Sequence, residues 1–250
     1  MSDRIFRWLY EQAPVLRTEI RSLIRHSIGT REIAYRGLRW KCHPKDNSVE
    51  RSLWLHQATE EEREIDWLLS RLRPGDYFCD IGANCGVYAL PVRAATGAKV
   101  VAIEPNPTMQ NRLAENVAIN SLDGISIIAA AVGEASGRMN LAMGSRWDYG
   151  QASLLKRPGS LSIEVTVRTL ADILKECGVL RFAAVKIDVE GYEDKALGKY
   201  LAECGDCELP SSIVVEHLHS NTWSRDLYAL AISRGYTLAE KTKNNFLFEL

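Results

Sequence analysis

The heptapeptide Asp80–Gly86, DIGANCG, constrains the fold more than any other stretch of the chain. An apolar run from Tyr77 to Cys79 reads as the end of a buried strand, and Val87 to Ala95 follows with helical apolar spacing. Strand, glycine turn and helix in that order build the nucleotide site of a doubly wound sheet. Gly82 and Gly86 permit a sharp turn and a close ligand approach. The loop is expected to leave N–H groups free at the start of the helix.

Asp80 bears on which nucleotide. A dinucleotide fold brings a pyrophosphate to this turn, where a carboxylate would repel it. S-adenosylmethionine carries a sulfonium and an ammonium and no phosphate, so Asp80 favours it over NAD. The spacing D-x-G-x-N-x-G also departs from G-x-G-x-x-G. An NAD-linked oxidoreductase and a non-catalytic cofactor-binding scaffold stay open as alternatives.

The chain of 250 residues is long enough for one large domain, or for one domain with a terminal extension. Its 31 basic against 32 acidic residues argue against a general electrostatic grip on nucleic acid. The six cysteines are scattered, and Cys79 and Cys177 sit in apolar runs, which points to a reducing, cytoplasmic compartment. Cys204 and Cys207 form a lone C-x-x-C, short of the four ligands of structural zinc. No signal peptide and no membrane span are expected.

Residues 3–27 read as two helices split at Pro14, with arginines between apolar residues. Such a face packs on its own domain, on a second copy in a homo-oligomer, or on a membrane surface. Arg31–Tyr35 and Leu38–Cys42 read as a hairpin, residues 44–48 as a polar loop, and Thr59–Leu72 as a helix capped by Thr59. Residues 1–72 are therefore expected to form an extension, and residues 73–250 the catalytic domain. Strands at 100–103, 125–132, 183–189 and 213–217 then alternate with helices at 107–120, 169–177, 191–202 and 227–234. An inserted hairpin with a long loop occupies 138–168, and an antiparallel pair closes the chain. This order predicts an α/β fold with a mostly parallel sheet.

Candidate residues cluster at the carboxyl ends of the predicted strands. Glu104 is placed to accept both ribose hydroxyls of an adenosine, with Pro105 and Asn106 shaping its turn. Ala131 and Val132 offer a flat apolar surface to an adenine. In KIDVEGYE, Asp188 and Glu190 alternate and so share one face. Glu216, His217 and His219 close the fifth strand. His217 is the expected proton acceptor, because an ordinary imidazole pKa near 6.5 suits the task, with Asp188 orienting. Asp188, Glu190 and His217 also offer ligand atoms, but no metal is expected to be required.

With these residues in place, the chain from about Leu72 to Leu250 resembles the FkbM family of S-adenosylmethionine-dependent methyltransferases. The likeness rests on PGDYFCDIGANCGVYAL, AIEPNP with Asn116 and Asn120 downstream, VKIDVEGYE, VVEH and the NNFLFEL ending. It implies a seven-stranded Rossmann-like methyltransferase sheet and methyl transfer to a hydroxyl of a sugar, polyketide or related natural product. Asp80, Gly82, Asn84, Gly86 and Glu104 would hold the cofactor, and Asp188, Glu190 and His217 would face a small-molecule acceptor. Ala171 stands where members often carry Asp, and the loop 144–159, with Trp147 and Tyr149, matches no pattern.

Overall fold

The structure is a computed structural model that describes Ile20, Ser22 and residues 28–144, 148–155 and 160–250. Apart from Ile20 and Ser22, the helices expected before residue 28 lie outside the described residues.

β1 (Arg31–Tyr35) and β2 (Leu38–Cys42) form the expected hairpin, with Arg36 and Gly37 both at positive φ. The polar loop after it is shorter than expected. Asn47 accepts the Glu50 N–H at 3.0 Å and starts α1 (Ser48–His56). Charge concealed this helix, because Glu50 and Arg51 are buried within it. Glu50 pairs with Arg112 at 2.5 Å, and Arg51 donates to the Pro44 carbonyl. α2 (Glu62–Arg71) begins later than Thr59. The Thr59 hydroxyl accepts the Glu61 N–H and the Thr59 N–H donates to Glu62 Oε1, which closes a loop ahead of the helix.

β3 (Tyr77–Ile81), α3 (Ala89–Thr96), β4 (Lys99–Ile103), α4 (Pro107–Ile119) and β5 (Ile125–Ile128) follow. The expected third strand divides. The Ala130 N–H turns back to the Ile128 carbonyl, and β6 (Ala131–Val132) leaves to pair with a second sheet. β7 (Gly137–Ala142) and β8 (Ser162–Arg168) are the inserted hairpin, and β6, β8 and β7 make that three-stranded sheet. Thr169 caps α5 (Leu170–Cys177) as expected, and β9 (Ala184–Ile187) follows. The helix expected at 191–202 is two pieces, α6 (Glu193–Ala196) and α7 (Gly198–Glu203). They are followed by β10 (Ser212–Glu216), α8 (Leu227–Ser233), β11 (Thr237–Lys241) and β12 (Asn245–Glu249).

The main sheet runs β11-β12-β10-β9-β3-β4-β5. The five strands from β10 to β5 are parallel, and β12 is antiparallel to β10 and β11. From β3 the chain moves outward through β4 to β5, then returns to build β9 and β10 on the other side. The order therefore reverses between β3 and β9, and a ligand site is expected at their carboxyl ends.

Alternate residues of β3 feed two cores. Phe78 joins Trp40, Trp54, Leu68 and Leu90, while Cys79 and Ile81 join Ile103, Ile187 and Phe248. Residues 33–72 thus pack directly on the sheet. Among the described residues no helix is long and apolar enough to cross a membrane.

Candidate functional site

A cleft with an empty volume of ≈ 960 Å³ opens at the carboxyl ends of β3, β4 and β9. Gly82, Asn84, Glu104, Pro105, Ala131, Val132, Asp188 and Glu190 line it, so eight of the residues expected from sequence meet there. Gly82 is required by its surroundings. Its φ is +77°, and a Cβ there would lie 1.9 Å from the Asp188 carbonyl oxygen. Gly86 (φ +99°) serves packing, since a Cβ would meet Leu90 and Leu113. Four N–H groups of the loop are engaged. Gly82 and Ala83 donate to the Ile103 carbonyl, Gly86 to the Ala83 carbonyl, and Asn84 to Glu104.

The Glu104 carboxylate accepts the Asn84 N–H at 2.9 Å on Oε2 and the Asn106 N–H at 2.8 Å on Oε1. Burial pushes its pKa up to about 7, against the pull of those two donors. Each oxygen keeps a second lone pair, which suits a pair of vicinal ribose hydroxyls. The Asn106 side chain caps α4 through Thr108 N–H and donates to the Tyr149 carbonyl. Ala131 and Val132 reach the cleft from the small sheet, not from the main one, and with Leu141 give it an apolar wall.

The opposite wall is acidic and is organised around Lys186. This ammonium lies 3.7 Å from Asp80 Oδ1 and 3.7 Å from Asp188 Oδ2, and it donates to the Gly82 carbonyl at 3.3 Å. Burial alone would lower the Lys186 pKa, but Asp188, Asp80, Glu61 and Glu216 raise it, so the lysine stays charged. Asp80 is fully buried beneath the cleft, and burial pushes its carboxyl up to about 6 with Lys186 opposing. Glu61, just before α2, also lines the cleft, and its pKa is raised by burial and by Asp188. Sequence reasoning passed over Lys186 and Glu61. A lysine inside the apolar run AAVKI was the available signal, since a buried ammonium demands carboxylate partners. Glu61 stands in a run of three acids, Glu60–Glu62, where nothing in the sequence singles it out.

The two histidines separate. The His217 ring stacks on Phe246 at 4.4 Å with Nε2 3.4 Å from the Thr242 carbonyl, and it is not part of the cleft lining. His219 Nε2 instead lies 3.3 Å from Glu190 Oε2 at the cleft rim. Glu190 itself adopts φ +57°, a left-handed conformation uncommon for a non-glycine residue. Among the described residues, Asp188, Glu193 and Glu216 bring carboxylate oxygens within 4.8 Å of one another.

The β7–β8 insertion supplies a cover. Tyr149 N–H donates to the Asp46 carbonyl, and the Ser153 hydroxyl donates to the Glu190 carbonyl at 2.9 Å. Asn84 is held from below, where Asn47 Nδ2 donates to its Oδ1 at 2.8 Å. A carboxylate with a lone pair free on each oxygen, an apolar wall and an acidic wall fit S-adenosylmethionine.

Comparison with known proteins agrees. Residues 80–236 match the family model described as the methyltransferase FkbM domain. The chain is 24% identical over 201 residues to methyltransferase sdnD of Sordaria araneosa, covering 68% of this chain and 77% of that one. A putative SAM-dependent methyltransferase from Streptococcus mutans superposes with TM-score 0.53 at 9% identity, over 90% of this chain and 56% of its own. The Pyrococcus abyssi tRNA (uracil-54, C5)-methyltransferase in complex with S-adenosyl-L-homocysteine gives TM-score 0.49 at 13% identity, over 89% and 44%. The chain thus spans about half the length of these two solved structures. Together with the site geometry, the matched domain assigns the chain to the FkbM family of S-adenosylmethionine-dependent methyltransferases.

Proposed function

We propose that the protein methylates a hydroxyl oxygen of a small-molecule acceptor, a sugar, polyketide or related natural product. The observation that carries this reading is that Asp188 and Glu190 line the cleft together with Gly82 and Glu104, the residues proposed to hold the cofactor. A hydroxyl must be oriented and must lose one proton as it is methylated, and carboxylates can do both.

The cofactor supplies an activated methyl group on a sulfonium. Glu104 would hold its ribose, and Ala131 and Val132 its adenine. Asp188 and Glu190 orient the acceptor hydroxyl and take up its proton, and the cover at 148–155 excludes water. Positioning of this kind contributes up to roughly 7–11 kcal/mol.

Methyl transfer from radiolabelled S-adenosylmethionine to a panel of sugars, macrolides and polyketide alcohols tests the proposal. Label should appear as a base-stable methyl ether. Label recovered only on nitrogen, carbon or nucleic acid across the panel would refute it.

A further inference from the structure

We propose that Asp188, Glu193 and Glu216 form a binding site for a hard divalent cation on the acceptor side of the cleft. Each offers a carboxylate oxygen, and these oxygens lie within 4.8 Å of one another. Ligand oxygens around calcium at about 2.4 Å, or around magnesium at about 2.1 Å, are separated by no more than twice those lengths. Small side-chain adjustments therefore bring all three to one ion. The donor set is all oxygen, which selects magnesium, manganese or calcium over zinc or copper.

The closeness of three acids would not by itself make a site. A second observation comes from Glu216, which is 9% exposed and whose Oε2 has no hydrogen-bond partner. A buried carboxylate oxygen without a donor is costly, and a cation would satisfy it. Glu193 is preorganised in the manner of a supported ligand. Its Oε1 accepts the Val189 and Gly191 N–H groups at 3.0 Å, and its Oε2 accepts Trp223 Nε1 at 2.8 Å. The three donors leave one lone pair of Oε2 for an ion.

Lys186 offsets part of the charge of these acids, through Asp188 and at longer range Glu216, but no ion pair or hydrogen bond joins it to Glu193 or Glu216. Its Nζ stands 3.7 Å from Asp80 and from Asp188, and its hydrogen bond goes to the Gly82 carbonyl. Of the three acids, Asp188 lines the cleft. A cation held on it would have open positions toward the acceptor and could hold a hydroxyl oxygen while lowering its proton affinity. That use rests on the hydroxyl-methylation reading, whereas the site itself does not.

The test is manganese binding to the cofactor-free full-length protein, followed by electron paramagnetic resonance and repeated with magnesium and calcium as competitors. One manganese per chain, displaced by magnesium or calcium, is expected. Glu216→Gln removes a direct ligand and should weaken binding by at least about 10-fold, the lower end of what loss of a supporting partner costs. Its thermal unfolding and S-adenosylhomocysteine affinity serve as controls for folding. Absence of binding at millimolar manganese would overturn the proposal and leave Lys186 as the cluster's own cation. So would manganese bound equally well by Glu216→Gln, because the ion would then lie elsewhere. Neither readout needs an acceptor, so failure of the site and failure of the hydroxyl reading are separable.

Discussion

Asp80 and Lys186 stand opposite each other in register on β3 and β9, with Lys186 lining the cleft and its Nζ 3.7 Å from the buried Asp80 Oδ1. The two strands that flank the reversal of sheet order are thus joined by a buried ion pair. Lys186→Met should destabilise the protein by about 3–5 kcal/mol, because it leaves a buried carboxylate without counter-charge. The effect should depend on pH. The Asp80 carboxyl, already raised from 3.8 to about 6 by burial, moves further up without the ammonium. A folded-state pKa above the unfolded value means stability that is present at low pH and lost as pH rises through the folded value. Urea unfolding should therefore show the variant recovering stability, relative to wild type, as pH is lowered from about 8 to about 5.

Glu104→Ala should weaken S-adenosylmethionine binding by about 1.5–3 kcal/mol, the scale of hydrogen bonds to a charged group. The Asn84 and Asn106 N–H groups donate to different oxygens of Glu104, so Ala removes both acceptors and Glu104→Gln keeps only one; thermal unfolding of both variants is the control. With its carboxyl near 7, wild-type Glu104 gains a proton as pH falls from about 8 to 6 and loses acceptor capacity. Cofactor affinity measured by calorimetry should weaken over that interval, and Glu104→Gln should flatten that part of the profile. An unchanged affinity in folded Glu104→Ala would remove the residue from the site.

Gly82→Ala should abolish cofactor binding, since its Cβ would collide with the Asp188 carbonyl in a conformation already unfavourable for alanine. Gly178 supplies the control. It has φ +67° with nothing within 4 Å of an added Cβ, so Gly178→Ala should cost only about 1–2 kcal/mol of stability and leave affinity intact. Thermal unfolding alongside calorimetry separates the two effects.

The parallel sheet was legible in the sequence because each strand is a short apolar run punctuated by Gly, Pro or a charged residue. The glycine loop and Glu104 could be placed for the same reason, since both follow directly from strand ends. What escaped depended on distant partners. α1 was hidden because Glu50 and Arg51 look solvated until Arg112 and the Pro44 carbonyl are brought to them. Ala131 and Val132 could not be assigned to a second sheet, as their partners Val167 and Arg168 lie far along the chain. His217 and His219 differ by two positions and look equivalent in one dimension. The turn after β10 sends one to Phe246 and the other to Glu190.

That separation yields the last prediction, on the group that receives the acceptor proton. His217 is engaged with Phe246 and the Thr242 carbonyl, away from the cleft-lining residues. Asp188 and Glu190 line the cleft, and His219 Nε2 lies 3.3 Å from Glu190 Oε2 at the rim. Glu190→Gln keeps the side-chain size but cannot take a proton, and should lower methyl transfer by about 10²- to 10⁴-fold with little change in cofactor affinity. Asp188→Asn should lose turnover as well, together with some cofactor affinity, because Asp188 also pairs with Lys186. His217→Ala should remain within a few-fold of wild type in turnover on the same acceptor. A collapse of turnover in His217→Ala with Glu190→Gln fully active would move the proton acceptor to the imidazole and require the chain after β10 to rearrange during catalysis.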